Sequence, residues 1–439
     1  MKLRKLTLVG LSAVVGLTGL VATEAMAQNE QFFPLLTYRT GPYAPSGIPN
    51  ANGLIDYFTM VNKRDGGING VKITWEECET QYNTRIGVEC YEKLKGKGPT
   101  GATIVNPYST GITYQLIPKS AVDKIPILSM GYGRTAAADG RVFPYVFNFP
   151  TTYWSQASAF VKYVGQQEGG MGKLKGKKIA LVYHNSAYGK EPIATLQALQ
   201  AKLGFDLKLL AVDHPGQEQK ATWLQVRRYK PDWIFMWGWG VMNQVAVKEA
   251  AAIRFPMDHF IGVWWSGSEN DVIPAGDSAV GYKSGTFHGV GAATQMHDDI
   301  IKHVYNGNHK EAWQKSFGQV LYNRGLVNAM YMIEAVRTAQ TIHGKKPLTG
   351  EQVRDGLEKL DITAARLKEL GMDGFLRPLK ITCLDHESGG PVIIQQWDGK
   401  QWKLVSDWIE PMTEVIRPMV EKAAAAYAVE NKITPRTCS

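Results

Sequence analysis

Hydroxyl side chains are gathered at one point of the chain, where an apolar run gives way to a helical pattern. Tyr108, Ser109 and Thr110 follow shortly after Asn106 and lie at the start of a predicted helix. The first N–H groups of a helix have no partner inside the helix, so these hydroxyls and amides together could bind a small anion such as a carboxylate. The alternative is that Ser109 or Thr110 only caps the helix.

The elements that must position these hydroxyls alternate between strands and helices. Strand-like apolar runs are predicted at 33–38, 71–75, 102–105 and 125–129, with helices at 52–64 and 84–94 between them. The alternation begins again with strands at 178–183, 205–212, 233–237 and 260–264. Two such series predict an α/β fold with two Rossmann-like lobes, and ligands are expected at the carboxyl ends of the parallel strands.

The last third of the chain is predicted to be mostly helical. Helical patterns occupy 296–306, 310–323, 326–343 and 349–358. Alternating runs at 391–397 and 401–405, separated by Asp398-Gly399, then predict a hairpin. An Ala-rich helix is expected in the tail, 411–439.

The N-terminal segment has the pattern of a secretory signal peptide. Basic residues at positions 2, 4 and 5 precede an apolar run and an Ala25-Met26-Ala27 cleavage motif. We therefore expect residues 1–27 to be removed after Ala27 and the mature protein to reach the periplasm. No later apolar run has the roughly 18 residues that a membrane helix needs.

The charge pattern argues against nucleic-acid binding. Removing three basic residues and Glu24 with the signal peptide lowers the net charge from +9 to +7, which is modest for a chain of 439 residues. The basic residues are scattered apart from a short cluster at 173–178, whereas a nucleic-acid site needs them on one face.

The four cysteines predict disulfides and not a metal site. An even number of cysteines in an exported chain favours pairing. We expect Cys78 to pair with Cys90 across a strand end and the next helix, and Cys383 to pair with Cys438 and so hold the tail. No C-x-x-C motif occurs, so metal binding has little support.

Several short motifs together resemble those of a known family. They are Gly41-Pro42 after the first strand, the turn at 61–70, the stretch from Asn106 to Thr110, and Tyr188-Gly189. In order and spacing they resemble the periplasmic solute-binding proteins of the branched-chain amino acid, type I class, which serve ABC importers. The resemblance covers nearly all of the mature chain.

The resemblance implies an architecture and a partner. Members have two lobes joined by a three-stranded hinge and trap their ligand by closing. Lobe one would comprise 28–148 and 286–378, and lobe two 149–285 and 379–410. The protein would act as a monomer, without a cofactor, and deliver its ligand to a membrane permease.

The resemblance also implies where a ligand carboxylate binds. In the family it is held at the positions of Ser109 and Thr110 and by the loop that matches Gly131, Tyr132, Gly133 and Arg134. The loop departs from the family pattern, because amino-acid binders usually have a threonine where this chain has Gly133 or Arg134. Arg134 is either a second partner for the carboxylate or a surface arginine.

A larger departure lies in the second lobe. Amino-acid binders have an acidic residue just after the strand at 260–263, where this chain has Trp264, Trp265 and Ser266. Glu269 and Asp271 follow and could still reach an ammonium group. Trp239 occupies the place of an aromatic residue that closes over the ligand in the family.

Strand alternation predicts different roles for the neighbouring tryptophans. Trp237 and Trp264 are expected in the core, while Trp239 and Trp265 face the cleft. With Tyr43, Tyr132 and Tyr188, the cleft tryptophans would form an aromatic pocket that suits a flat or apolar acid better than a zwitterion.

Three functions are therefore considered. The first is a binding protein for a small, aromatic or apolar carboxylate, and the second is an amino-acid binder that uses Glu269 or Asp271. The third is a secreted α/β enzyme, which is disfavoured because the chain has no G-x-G-x-x-G after a strand and no G-x-S-x-G.

Overall fold

The structure, a computed structural model, describes residues 29–438. The predicted signal peptide and its cleavage site after Ala27 lie outside these residues. Within them, no helix is long and apolar enough to cross a membrane.

The strands form one seven-stranded sheet and three two-stranded pairs, two of which are linked through single bridges into what we call the first sheet. In chain order they are β1 (Glu30–Thr37), β2 (Lys72–Glu79), β3 (Ile127–Leu128), β4 (Val146–Phe147), β5 (Lys178–His184), β6 (Asp206–Val212), β7 (Trp233–Trp237), β8 (Phe260–Gly262), β9 (Lys283–Thr286), β10 (Asp361–Ile362), β11 (Leu379–Lys380), β12 (Ile393–Trp397) and β13 (Trp402–Leu404).

The helices lie between and around these strands. In chain order they are α1 (Ala44–Asp65), α2 (Thr84–Leu94), α3 (Thr110–Asp123), α4 (Tyr153–Gln167), α5 (Ala187–Lys190), α6 (Ile193–Leu203), α7 (Lys220–Tyr229), α8 (Val241–Ala252), α9 (Glu269–Val272), α10 (Gln295–His303), α11 (His309–Gln314), α12 (Val320–His343), α13 (Gly350–Leu357), α14 (Ala364–Glu369) and α15 (Thr413–Glu430). Short 3₁₀ turns occur at Thr135–Ala138, Met171–Leu174, Met257–His259 and Ile273–Ala279.

The first sheet is parallel and contains the segment that leads to Tyr108. β1 pairs with β2, and β3 pairs with β4. Single bridges from Leu35 to Asn106 and from Val105 to Ile127 place the segment that ends at Asn106 between the two pairs. The carboxyl end of this segment therefore opens into α3, as the sequence predicts.

The second sheet has seven strands in the order β13-β12-β9-β8-β7-β5-β6. The five strands from β6 to β9 are parallel, and β12 pairs antiparallel with β9. The predicted hairpin around Asp398-Gly399 is present, and it extends the sheet that the second series of strands forms.

Helix α12 returns to the first sheet by packing along α1. Glycines allow the close approach, since a Cβ at Gly53 would lie 2.0 Å from the carbonyl oxygen of Tyr322 and a Cβ at Gly325 would lie 2.0 Å from that of Asn50. We call the first sheet with α1, α2, α3 and α12 the first lobe, and the seven-stranded sheet with its helices the second lobe.

Both predicted disulfides are present. Cys78 is bonded to Cys90 with a Cα–Cα distance of 5.7 Å, and Cys383 to Cys438 with 5.6 Å. The second bridge holds the segment after α15, where Arg436 also pairs with Glu358. The tail is thereby tied to the body of the protein.

The lobes are closed against each other. One continuous cluster of buried apolar side chains includes Phe33 and Tyr132 of the first lobe and Phe235 and Trp265 of the second. Separate clusters lie on the outer face of each sheet. The predicted site residues must therefore be sought in the interface between the lobes.

Candidate ligand-binding site

The two predicted carboxylate anchors meet at the start of α3. Ser109 is the N-cap, and its hydroxyl accepts a bond of 3.4 Å from the N–H of Ile112. The hydroxyl of Thr110 accepts a bond of 3.2 Å from the N–H of Gly133. Ser109 therefore has the capping role that was the alternative interpretation, while Thr110 joins the two loops. Tyr108, in left-handed conformation with φ of 50°, accepts a bond of 3.0 Å from Asn328.

Gly131 forms a direct polar contact between the lobes. Its carbonyl oxygen accepts from the indole N–H of Trp264 at 2.9 Å and from that of Trp265 at 2.5 Å. A Cβ at Gly131 would lie 2.9 Å from the Trp265 ring, and φ is +73°. Only glycine fits this position without strain.

An aromatic cluster fills the interface around Trp265; we define it as Tyr38, Tyr82, Tyr132, Trp239 and Trp265. Tyr132 stacks on Trp265 with ring centroids 4.6 Å apart, and Trp239 meets Trp265 edge to face at 5.2 Å. Tyr38 and Tyr82 lie 6.2 and 6.1 Å from Trp239. The predicted aromatic residues of both lobes thus come together.

Trp264 also lies at the interface, although strand alternation places it in the core. β8 ends at Gly262, so residues 264 and 265 lie in a turn where alternation does not apply. Trp264 stacks on Tyr153 at 5.1 Å. Tyr188 lies beside Tyr153 at 5.4 Å and donates to the carbonyl oxygen of Gly238. Trp264 is completely buried in the main apolar cluster, so the expectation that it lies in the core is confirmed, and it contacts the first lobe from there.

Tyr43 crosses from the first lobe to two histidines of the second. Its hydroxyl lies 3.0 Å from Nε2 of His184 and 3.0 Å from Nδ1 of His214. Burial and the neighbouring His214 lower the pKa of His184 to about 3, so His184 is neutral at ordinary pH. This contact joins the two lobes and lies at the edge of the aromatic cluster, since the Tyr43 ring packs against that of Tyr82 with centroids 4.5 Å apart.

Arg134 does not reach the aromatic cluster. Its guanidinium lies 4.7 Å above the ring of Tyr427 and 5.7 Å from that of Tyr114. Arg134 and Tyr114 line a surface groove of about 340 Å³. Of the two readings left open, the contacts correspond to the surface arginine.

Glu269 and Asp271 are both engaged within the protein. One carboxylate oxygen of Glu269 accepts from the N–H of Val320 at the start of α12. Asp271 accepts from Ser268 at 2.9 Å and from Asn243 at 3.1 Å. Burial raises the pKa of both carboxyls to about 7. Ser266 likewise donates to the carbonyl oxygen of Gly238.

Sequence reasoning missed Arg324, which is completely buried on α12. Its guanidinium donates to the carbonyl oxygen of Trp264, to His288 at 3.2 Å and to Thr286 at 3.3 Å. It lies 4.9 Å above the Trp265 ring. None of its hydrogen bonds in the described chain goes to a carboxylate.

Arg324 is therefore a buried cation without a counter-charge. Burial lowers its pKa to about 9, while Tyr132 and Tyr153 act in the opposite direction, so the side chain is charged at neutral pH. A buried charge without an ionic partner is costly. The available signal was a single arginine between the apolar residues Leu321 and Leu326, which the predicted break between two helices obscured.

Glu191 is a second residue that was missed. It extends from the second lobe and accepts hydrogen bonds from the hydroxyl of Tyr114 and from that of Thr135, the latter at 2.8 Å. A Cβ at Gly133 would lie 2.4 Å from its carboxylate oxygen. Glu191 is thus the acidic side chain next to the Thr110–Gly133 contact, and burial raises its pKa.

The described residues contain no group of three or more His, Cys, Asp or Glu side chains that could hold a metal ion. The site consists of aromatic rings, hydroxyls, one buried cation and one buried carboxyl. This composition can bind and orient a small organic ion. It offers no activated nucleophile.

Comparison with known proteins decides the family. The family described as "Periplasmic binding protein" matches residues 30–401. The chain belongs to this family. A solved structure described as an ABC transporter permease from the Pseudomonas fluorescens group is 46% identical, with a TM-score of 0.87, over 94% of this chain and 100% of that one. A search of curated proteins found no match.

Two more distant structures share the fold. A branched-chain amino acid ABC transporter protein from Thermus thermophilus, solved with valine, is 20% identical, with a TM-score of 0.72, over 89% of this chain and 99% of that one. A solute-binding protein from R. palustris, solved with benzoate, is 16% identical, with a TM-score of 0.67, over 87% of this chain and 97% of that one.

These findings confirm the predicted fold class and family. The periplasmic binding protein is the substrate-binding component of an ABC transporter and is not an enzyme. The secreted-enzyme alternative is thereby excluded. The boundaries predicted for the lobes and the ligand-contacting residues remain predictions.

Proposed function

We propose that this periplasmic binding protein captures a small aromatic or apolar carboxylate between its lobes and delivers it to the membrane permease of an ABC importer. The observation that carries the proposal is Arg324, a completely buried cation with no carboxylate among its partners in the described chain. An anionic solute would supply the missing counter-charge. The protein would act outside the cytoplasm as a monomer.

The surroundings of Arg324 favour a flat or apolar acid. The guanidinium lies against Trp265, which stacks on Tyr132 and meets Trp239. Aromatic pairs contribute about 0.5–1.5 kcal/mol each beyond the area that they bury. A distant structural neighbour from R. palustris was solved with benzoate, which is an acid of this kind.

The two acidic residues that could have paired with a ligand ammonium group also favour an acid without such a group. Glu269 is engaged by the start of α12, and Asp271 by Ser268 and Asn243. A zwitterion bound beside Trp265 would leave its ammonium group without either partner. The cost of a desolvated, unpaired charge is several kcal/mol.

The proposal is tested by calorimetric titration of benzoate and cinnamate into the parent protein and the Arg324→Gln variant. Loss of a charged hydrogen bond costs roughly 1.5–3 kcal/mol, so affinity should fall by about 10- to 100-fold. Arg227→Gln, on the exposed side of α7, is the matched control and should bind as the parent does. Equal affinity of Arg324→Gln and the parent would refute the role of Arg324.

Amino-acid binding stays a second candidate because of Glu191. This buried carboxyl lies beside Thr110 and Gly133, where the family resemblance expects the ligand carboxylate, and the ammonium group of an amino acid is attached to the carbon next to that carboxylate. A fold neighbour from Thermus thermophilus was solved with valine. If leucine or valine binds tightly and Glu191→Gln abolishes that binding, the amino-acid reading replaces the aromatic-acid proposal.

A further inference from the structure

Three buried hydrogen-bond donors of the aromatic cluster have no partner. The hydroxyls of Tyr38 and Tyr132 and the indole N–H of Trp239 are in this state within the described chain. Their side chains are 1%, 3% and 1% exposed. Buried polar groups are nearly always hydrogen-bonded, and an unsatisfied one costs about 1–3 kcal/mol. Three in one place indicate a function.

The three donors come from both lobes, and their rings belong to one packed cluster. The rings of Tyr38 and Trp239 are 6.2 Å apart, and Tyr132 and Trp239 both pack against Trp265. The phenols of Tyr38 and Tyr132 lie within hydrogen-bonding reach of each other, and burial raises the pKa of both well above the usual range. Both phenols are therefore protonated at neutral pH and able to donate.

The donors cannot satisfy one another. Two facing phenols can use at most one of their two protons on each other, and the indole N–H of Trp239 reaches neither phenol oxygen nor any other acceptor in the described chain. At least one hydroxyl and the Trp239 N–H thus still require an acceptor. No carboxylate is bonded to any of the three in the described chain, and the nearby charge, Arg324, is itself a donor.

We infer that Tyr38, Tyr132 and Trp239 recognise an acceptor oxygen on the solute other than the oxygens of its carboxylate. A ring hydroxyl, ether or carbonyl oxygen would accept from these donors, whereas an alkyl group or an ammonium would leave them unpaired. The inference rests on the proposed function, with the carboxylate paired to Arg324. The solute is then an oxygen-substituted acid and not a plain hydrocarbon acid.

A matched pair of ligands tests this inference. 4-Methoxybenzoate and 4-ethylbenzoate have nearly the same shape and differ by one acceptor oxygen; the 3-substituted pair samples the second ring position. Sites that hydrogen-bond a substrate group discriminate strongly against analogues that lack it. In at least one pair, calorimetry should show the methoxy acid binding tighter by about tenfold or more, since each 1.4 kcal/mol is tenfold.

Variants identify the donors. Trp239→Phe and Tyr38→Phe keep an aromatic ring and remove the donor, so the double variant should bring the methoxy-to-ethyl affinity ratio close to one. Trp233→Phe is the matched control, because its indole N–H donates to Glu168 at 2.8 Å, away from the cluster. That variant should keep the parent ratio.

The outcomes separate this inference from the proposed function. If both members of each pair bind equally well to the parent protein, the inference is wrong and the proposed function stands. The same holds if benzoate binds and no substituted acid does. If no carboxylate binds at all, the proposed function fails and the inference falls with it. The methoxy-to-ethyl affinity ratio of the parent protein tests the inference even if a variant does not fold.

Discussion

At the scale of single residues, the charge of Arg324 sets the character of the interface between the lobes. Every neighbour that it bonds is neutral, and its closest rings are those of Trp265 and Phe287, with Phe287 at 4.4 Å. Cation–π contacts compensate a buried charge only in part. A bound carboxylate would complete the compensation, which is why the proposed ligand is an anion.

Ser109 and Thr110 provide a test of the original carboxylate anchor. The Ser109→Ala, Thr110→Ala double variant should weaken binding of an aromatic acid by about 1–3 kcal/mol if the hydroxyls hold the ligand. Calorimetry measures this change. Thr363→Ala is the control. It removes a comparable helix cap, in which the Thr363 hydroxyl accepts from the N–H of Arg366, and it lies far from the aromatic cluster. Full affinity in the double variant would leave Ser109 as a helix cap and Thr110 as a link to the Gly133 loop, with no part in binding.

Most of the residues that meet at the interface between the lobes could be identified from the sequence, but the buried cation among them could not. Thr110, Gly131, Tyr132, Trp239 and Trp265 were predicted because motifs or strand ends mark them. Arg324 was missed because it meets the site only through the packing of α12. Glu191 was missed because it meets residues of the first lobe only when the lobes close. Pattern and spacing along the chain do not encode such contacts.

At the scale of elements, the predicted strands and helices are largely present, and the differences have local causes. The strand predicted at 233–237 agrees with β7. Helix α1 begins at Ala44, earlier than predicted, because proline is well tolerated in the first turn of a helix. The break predicted near residue 324 is absent: α11 ends at Gln314, and α12 runs unbroken from Val320.

The short disulfide should stabilise the junction of β2 and α2. In the chain-entropy model, opening the Cys78–Cys90 loop costs roughly 3 kcal/mol. We expect the Cys78→Ser, Cys90→Ser variant to melt at a lower temperature in a calorimetric scan. The Cys383→Ser, Cys438→Ser variant opens a longer loop and should lose more, roughly 4 kcal/mol. An unchanged melting temperature in both variants would contradict this account.

At the scale of the whole molecule, closure joins the ends of β5 and β6 to Tyr43 of the first lobe. The groups that face this contact are His184, His214, Ser186 and Asp213, and His184 is completely buried. Any change in the charge of the histidines therefore acts on the contact between the lobes.

Acidification should weaken the folded, closed protein through His184. The pKa of His184 is lowered from 6.5 to about 3, so below pH 6.5 the unfolded chain binds a proton that the folded chain does not. Stability then falls as pH drops from 6.5 towards 3, by about 1.4 kcal/mol per pH unit for this group.

The measurement is the melting temperature of the parent and His184→Gln proteins between pH 7 and pH 4. The melting temperature of the variant should fall less steeply with decreasing pH, because its unfolding takes up about one proton fewer than unfolding of the parent. His288, His297 and the buried acids titrate in both proteins and cancel in the comparison. Identical pH profiles would mean that His184 does not couple protonation to folding.

The central claim is that the solute is a carboxylate without an ammonium group. 3-Phenylpropanoate and phenylalanine differ only in that group, so calorimetric titration of both into the parent protein tests the claim most directly. An unpaired, desolvated ammonium costs several kcal/mol. We predict measurable binding of 3-phenylpropanoate and none of phenylalanine. Tighter binding of phenylalanine than of 3-phenylpropanoate would contradict the claim and direct attention to Glu191.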